Sequence, residues 1–300
     1  MPAPMDHTTL IKSLPPETKA SLTTRSDAAG LQHLALYIAA LAVCTTGLAL
    51  QVPFWPLLML PHGVLLVFLF TLSHECTHQT PFRSKWLNEA AGHFCALAMA
   101  LPFVWFRYFH LAHHKFTNDP ERDPELEQGP RPETIPQWLK YLSGWGYWRG
   151  MAGTLWRNAF GTIDAPYLPE RRHAHMRLES RVLLSVYTAA LLTLLVSPLV
   201  LRLWLVPLLI GQPFLRAYLL AEHGLCPPVA NMLENSRTTF TNRLVRFLAW
   251  NMPYHAEHHA FPNVPFHQLP AFHAITQAHL KSASGGYAEF TSDYLRQISR

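Results

Sequence analysis

Charge is what this chain has least of. Asp, Glu, Lys and Arg make up 14% of its 300 residues, where soluble domains carry about 25%. Hydrophobic residues reach 49%, yet the mean hydropathy is only +0.06. That mixture points to a membrane protein with a substantial soluble face. The formal net charge is +5, and no basic stripe or recognition motif accompanies it, which excludes a nucleic-acid partner. Retention of positive charge on a cytoplasmic face accounts for the excess. Cysteine is scarce as well: Cys44, Cys76, Cys95 and Cys226 form no C-x-x-C pair. A disulfide framework is not expected, and a reducing compartment fits. Near the start no apolar core follows a basic stretch, so a cleavable signal peptide is not expected. The length suits one large domain or two small ones.

Histidine, by contrast, is abundant at 18 residues, and it is patterned. His255, His258 and His259 have H-x-x-H-H spacing, which recurs at His110, His113 and His114. His74-Glu75-Cys76-Thr77-His78 has H-x-x-x-H spacing. On a helix, positions i, i+3 and i+4 share a face, so each cluster is expected to aim its imidazoles at one point. Histidine is the commonest neutral metal ligand, and three such faces can surround more than one ion. Ordinary packing does not produce this repetition on independent helices.

The apolar runs say where these clusters sit. Residues 1–30 read as a polar cytoplasmic tail, and 31–300 as a single membrane domain. Apolar runs at about 34–50 and 54–73 approach the ~20 residues that a bilayer crossing needs. Gln51-Val52-Pro53 joins them tightly, so they form a helical hairpin that returns the chain just before His74. A second hairpin, 182–200 and 203–220 with its turn near Leu201-Arg202, returns it just before His223. Residues 90–106 are also apolar, but a crossing there would leave His110 about 30 Å from His74. Metal bonds of roughly 2 Å cannot bridge that gap, so the segment is expected to be re-entrant or interfacial. Gly92, Pro102 and the aromatics from Phe103 to Phe109 suit that role. Between the His110–His114 cluster and the second hairpin lie an acidic, proline-rich loop at 118–137 and a stretch rich in Trp and Arg that suits the headgroup region. Leu244–Trp250 reads as an interfacial helix. Of the 24 Lys and Arg residues only Arg202 falls in an outer turn. The positive-inside rule therefore puts the histidines and both termini in the cytoplasm. The expected fold is an all-α integral membrane protein: four transmembrane helices in two hairpins, a re-entrant or interfacial segment, and a cytoplasmic helical cap.

From His74 to Pro262 the chain resembles the membrane-bound fatty acid desaturase and hydroxylase superfamily. His-Glu-Cys-Thr-His is similar to the first box of acyl-lipid desaturases, and His-Leu-Ala-His-His and His-Ala-Glu-His-His to the second and third. Glu222-His223-Gly224 is similar to a further histidine site of the alkane-hydroxylase branch. The resemblance implies nine metal ligands: His74, His78, His110, His113, His114, His223, His255, His258 and His259. It implies two iron ions, O2 as co-substrate, and attack on an unactivated C–H bond with two electrons from outside. Imidazole suits zinc and iron alike, and the resemblance decides for iron. No cytochrome-like His-Pro-Gly-Gly segment is present, so the donor is expected to be a separate protein of ferredoxin, rubredoxin or cytochrome type. The substrate it implies is a fatty acyl chain reached from the lipid bilayer, with the site on the cytoplasmic side of a bacterial inner membrane.

Three alternatives stay open at this stage. One is a hydroxylase (monooxygenase) of an alkyl chain, in keeping with Glu222-His223-Gly224. Another is a desaturase of a small amino-acid-like metabolite. The third is a zinc-binding transporter, although transporters place ionisable groups near the bilayer midplane. Glu75, Glu222, Glu257, Asp119 and Asp123 stand close in sequence to the boxes and are expected to take the second N–H of metal-bound imidazoles. Asn251 lies four residues before His255, on the same face of an expected helix. In stearoyl-type desaturases an asparagine precedes the histidine matching His223 by four residues; here that position is Leu219. The other nine histidines have no convergent partners, with His93 the nearest of them to a supporting role.

Overall fold

The computed structural model describes residues 5–127 and 129–299. In chain order the helices are α1 (His7–Ser13), α2 (Pro16–Leu22), α3 (Asp27–Ala49), α4 (Met59–His78), α5 (Lys85–Met99), α6 (Phe103–Phe116), α7 (Pro124–Glu127) and α8 (Ile135–Leu142). They continue with α9 (Trp145–Phe160), α10 (His173–Leu192), α11 (Val206–His223), α12 (Met232–Asn235), α13 (Arg243–Leu248), α14 (His255–Ala260), α15 (Leu269–Thr276) and α16 (Tyr287–Ile298). Two-residue strands, β1 (Thr238–Thr239) and β2 (Ala283–Ser284), pair in parallel.

Among the described residues four helical spans are long and apolar enough to cross a membrane: Pro16–Ala49, Trp55–His78, Glu170–Leu195 and Leu201–His223. They are the four expected from the sequence, each lengthened at the end nearer the histidines. The second hairpin turns earlier than expected. Its turn is Val196-Ser197-Pro198, because Pro198 has no N–H to continue a helix, and the chain re-enters through a widened helical turn at Leu201–Leu205. Arg202 stays at the outer end, its guanidinium 5.5 Å from the centre of the Trp55 ring.

α4 is the central element, with Val67, Leu69 and Leu72 fully buried. It crosses α11 at Gly63 and Gly211. A Cβ on Gly63 would collide with the Pro207 carbonyl oxygen, and one on Gly211 with the Gly63 carbonyl. In lipid, close backbone approach substitutes for the missing hydrophobic drive. α3 and α10 form the flanks and leave Val43, Leu50, Leu191 and Leu195 exposed, the surface that lipid would cover.

α5 and α6 meet at a bend of 100°. Ala100 adopts a left-handed conformation (φ 54°) and Pro102 follows. Backbone groups freed by such a bend must find partners inside protein, and here they do. Trp204 Nε1 donates to the Ala98 carbonyl at 2.8 Å, and Tyr187 Oη to Leu97 at 3.0 Å. Tyr147 Oη donates to Met99 at 2.6 Å. On the other limb the backbone N–H groups of Phe103 and Val104 donate to the Glu179 carboxylate at 3.0 and 2.9 Å. The chain doubles back between His74 and His110, whose ring centroids lie 4.1 Å apart.

Residues 1–30 were expected to be a polar tail. The described part is instead folded onto the body of the protein. Leu10, Leu14 and Leu22 are buried, Met5 N donates to His279 Nδ1 at 3.0 Å, and His7 N to Asn231 Oδ1 at 3.0 Å. The apolar positions of α1 and α2 face the core, which a count of polar residues does not reveal.

Candidate metal centre

All nine histidines meet at the ends of α4, α6, α11 and α14. They form two clusters. One donor nitrogen from each of His74, His78, His110, His114 and His258 lies within 4.8 Å of all the others, and the same holds for His113, His223 and His259. His255 joins the second cluster, its Nε2 3.0 Å from His223 Nε2. The rings of His114 and His259 stack at 4.0 Å and 4°, joining the two clusters.

The expectation that each box aims at one point is corrected here. Box two sends His110 and His114 to the first cluster and His113 to the second. Box three sends His255 and His259 to the second and His258 to the first. The reason is angular. At 100° per residue, positions i and i+4 differ by about 40°, while i+3 lies about 60° away on the other flank. Boxes two and three therefore straddle both clusters, and only box one (His74, His78, spaced i, i+4) stays whole.

Metal occupancy can be judged from the donors. Both ring nitrogens of His74, His114 and His258, and Nε2 of His259, are buried without a hydrogen-bond partner. Each such orphan costs about 1–3 kcal/mol, so a fold that collects them is built for an electrophile. Close nitrogen pairs stand at 2.9 Å (His78–His110), 3.1 Å (His113–His223) and 3.0 Å (His223–His255). Tetrahedral zinc takes four ligands, and the first cluster offers five. Burial also pushes the pKa of His110, His114, His255, His258 and His259 well below the ordinary value, keeping them in the neutral form that metal ions bind. For His113 burial pulls the pKa down, but Glu125 and Asp123 outweigh it and the net shift is upward.

The groups behind the rings differ from the sequence expectation. Asp123 Oδ1 accepts from His113 Nδ1 at 2.9 Å. Glu222 Oε1 stands 3.2 Å from His255 Nδ1, and Glu75 Oε1 3.6 Å from His258 Nδ1. These three fit. Glu257 does not: it is fully buried but turned away, pairing with His273 Nδ1 at 2.5 Å and with the hydroxyls of Thr276 and Thr238. It ties box three to α15 and β1. Asp119 pairs with Arg122 at the surface. Asn251 sits in a left-handed turn (φ 58°) and donates to the Phe266 carbonyl at 3.0 Å. Because α14 begins only at His255, the shared helical face assumed for Asn251 does not exist. His93 pairs with Glu179 at 2.8 Å, away from the clusters.

Three groups were not foreseen. Thr117 Oγ1 lies 3.1 Å from His259 Nδ1, the Asn235 carbonyl 3.4 Å from His223 Nδ1, and Glu125 Oε2 3.7 Å from His113 Nδ1. Thr117 was legible, being i+4 from His113 on the box-two face. Asn235 reaches back to His223 across a loop and leaves no trace in local spacing.

Four membrane-length apolar spans, two of which end in a nest of histidines, define a membrane protein with a centre able to hold metal. More particularly, the chain belongs to the fatty acid desaturase family, whose pattern it matches over residues 29–291. Among curated proteins it is similar to the sn-1 oleoyl-lipid 12-desaturase of Arthrospira platensis, 25% identical over 69% of this chain and 64% of that protein. It is also similar to the enzyme of the same name from Anabaena variabilis, 26% identical over 79% of this chain and 70% of that one. A shorter match, 34% identical over 23% of this chain and 20% of the relative, is to the sn-1 acyl-lipid omega-3 desaturase (ferredoxin) of Nostoc sp. (strain 36). The chain thus spans just under two-thirds of the first of these relatives.

Proposed function

We propose that the protein is an O2-dependent membrane desaturase that removes two hydrogens from an unactivated position of a fatty acyl chain. The observation that carries this reading is the pairing of a five-histidine and a four-histidine cluster that leaves both ring nitrogens of His74, His114 and His258 and Nε2 of His259 buried without a hydrogen-bond partner. A pair of iron ions held there would activate oxygen for C–H cleavage, with electrons from a separate ferredoxin-, rubredoxin- or cytochrome-type donor. The nine histidines would be the ligands. Asp123, Glu222 and Glu75 would fix ring orientation, as such carboxylates do for metal-bound imidazole. Thr117 and the Asn235 carbonyl would do the same for His259 and His223. The relatives' names favour an acyl-lipid substrate and a ferredoxin-type donor. The near absence of Lys and Arg at the outer turns favours a cytoplasmic site, in a single domain from residue 31 onward. Bacterial relatives favour the inner membrane.

The test is metal analysis with lipid analysis. Protein made in iron-replete cells should hold about two irons per chain, and those cells should gain unsaturated acyl chains that cells making His258→Ala lack. Hydroxylated chains in their place would replace desaturase by hydroxylase. Two tightly held zinc ions with unchanged lipids would overturn the redox reading.

A further inference from the structure

α11 carries a line of side chains that the histidine clusters do not use. Gln212, Arg216, Leu219 and His223 are spaced by four, three and four residues, so they lie on one helical face. That face ends at His223, in the second cluster. The helical rise puts Arg216 about 10 Å and Gln212 about 16 Å from His223. Arg216 is also about 22 Å from Leu201 at the outer end, beyond the midplane of a ~30 Å hydrocarbon layer and on the histidine side. An ionisable group within a span is expensive and marks function by default.

The surroundings of Arg216 and Gln212 look prepared for a polar guest. The Arg216 guanidinium lies 4.8 Å from the centre of the Tyr147 ring and 5.9 Å from that of Tyr141. Gln212 packs on Gly144 in the turn between α8 and α9; a Cβ there would stand 3.0 Å from Gln212 Cγ. Trp148 is one turn beyond Gly144, on the same face. Nε of Arg216, both amide atoms of Gln212 and Nε1 of Trp148 are buried with no hydrogen-bond partner. Gln212 is 0% exposed. Among the described residues no carboxylate forms an ion pair with Arg216. An apolar side chain at each position would avoid the desolvation cost of such orphans.

We propose that Arg216, Gln212 and Trp148 hold the carboxyl end of the substrate, with its alkyl chain lying along α11 past Leu219 toward the histidine clusters. This deepens the proposed function, on which it rests for what happens at the far end of the chain. The arginine fork matches the two oxygens of a carboxylate, and its N–H donors together with those of Trp148 and Gln212 suit an ester carbonyl equally. Apolar Leu219 lies between, where a hydrocarbon must pass. An anchor at a fixed distance from His223 makes the attacked carbon one that is counted from the carboxyl end.

The experiment uses the full-length, iron-loaded protein in nanodiscs. Binding of palmitate, methyl palmitate and hexadecane is measured for the wild type and for Arg216→Met, Gln212→Leu and Trp148→Phe. Both carboxyl compounds should bind at least tenfold more tightly than hexadecane. Arg216→Met should erase that preference and leave hexadecane binding unchanged. Tighter binding of palmitate than of its ester assigns the site to a free acid; equal binding assigns it to an esterified acyl lipid. If hexadecane binds as well as either, or if the preference survives in all three variants, the proposal is wrong. Iron content and melting temperature control for folding, and if Arg216→Met misfolds the other two variants carry the test. Turnover adds a second readout: chains of 14, 16 and 18 carbons should be attacked at one position counted from the carboxyl end, and constancy from the methyl end would overturn the anchor. Should the wild type show the binding preference and yet form no unsaturated product, the desaturase reading fails while the carboxyl site stands.

Discussion

Asp123→Asn separates a positioned carboxylate from simple charge balance. Asp123 is 0% exposed. Its Oδ1 accepts from His113 Nδ1 at 2.9 Å and from Glu125 N at 3.0 Å, and its Oδ2 from Asn118 N at 2.8 Å. Asparagine keeps the shape but offers only one acceptor oxygen, so its NH2 must face one of these donors. Turned toward Asn118, it sets two donors against each other and forfeits a bond to a charged acceptor worth about 1.5–3 kcal/mol. Turned toward His113, it demands a lone pair on Nδ1. The proton then moves to Nε2, the nitrogen 3.1 Å from His223 Nε2, and that nitrogen can no longer bind metal. Either way the second cluster loses affinity. Losses at such supporting groups run to 10–100-fold, or about 1.4–2.7 kcal/mol. Chelator competition on the purified protein, followed by iron content, measures it. Asp119→Asn is the control, since Asp119 meets only Arg122 among charged groups, at the surface and open to solvent screening. Retention of iron by Asp123→Asn within twofold of wild type, or an equal loss in Asp119→Asn, would refute the assignment.

Two further outcomes are expected. Gly63→Ala should destabilise the α4–α11 crossing by about 1–3 kcal/mol, as overpacking does, because the obstacle is the Pro207 backbone rather than a movable side chain. Thermal unfolding of the membrane-inserted protein measures this, and an unchanged midpoint would show that the helices cross elsewhere. Cysteines at Arg83 and Lys115, both exposed, should react with an impermeant reagent from one and the same side of the membrane. Labelling from opposite sides would mean that α5 and α6 together cross the bilayer.

The sequence by itself determined the four spans, the boxes and the need for the chain to double back between His74 and His110. Each of these depends on local quantities: apolar length against bilayer thickness, helical spacing, and the reach of a metal bond. His74 and His110 had to share a side whatever the rest of the chain did, and the bend at Ala100 and Pro102 follows from that demand. Tertiary structure alone decided how the boxes divide. Spacing shows that His110, His113 and His114 share a broad face, but a 60° offset becomes a second cluster only once two other helices, α11 and α14, bring His223 and His259 to meet it. The same holds for the carboxylates. Glu75, Glu257, Asp119 and Asp123 look alike in sequence, each close to a box. Asp123 meets a ring of box two, whereas Glu257 meets His273 instead, because their side chains leave the backbone in different directions, toward partners 10 and 16 residues away. Proximity in sequence limits where a side chain can reach; what it meets there is set by packing between elements that local spacing cannot relate.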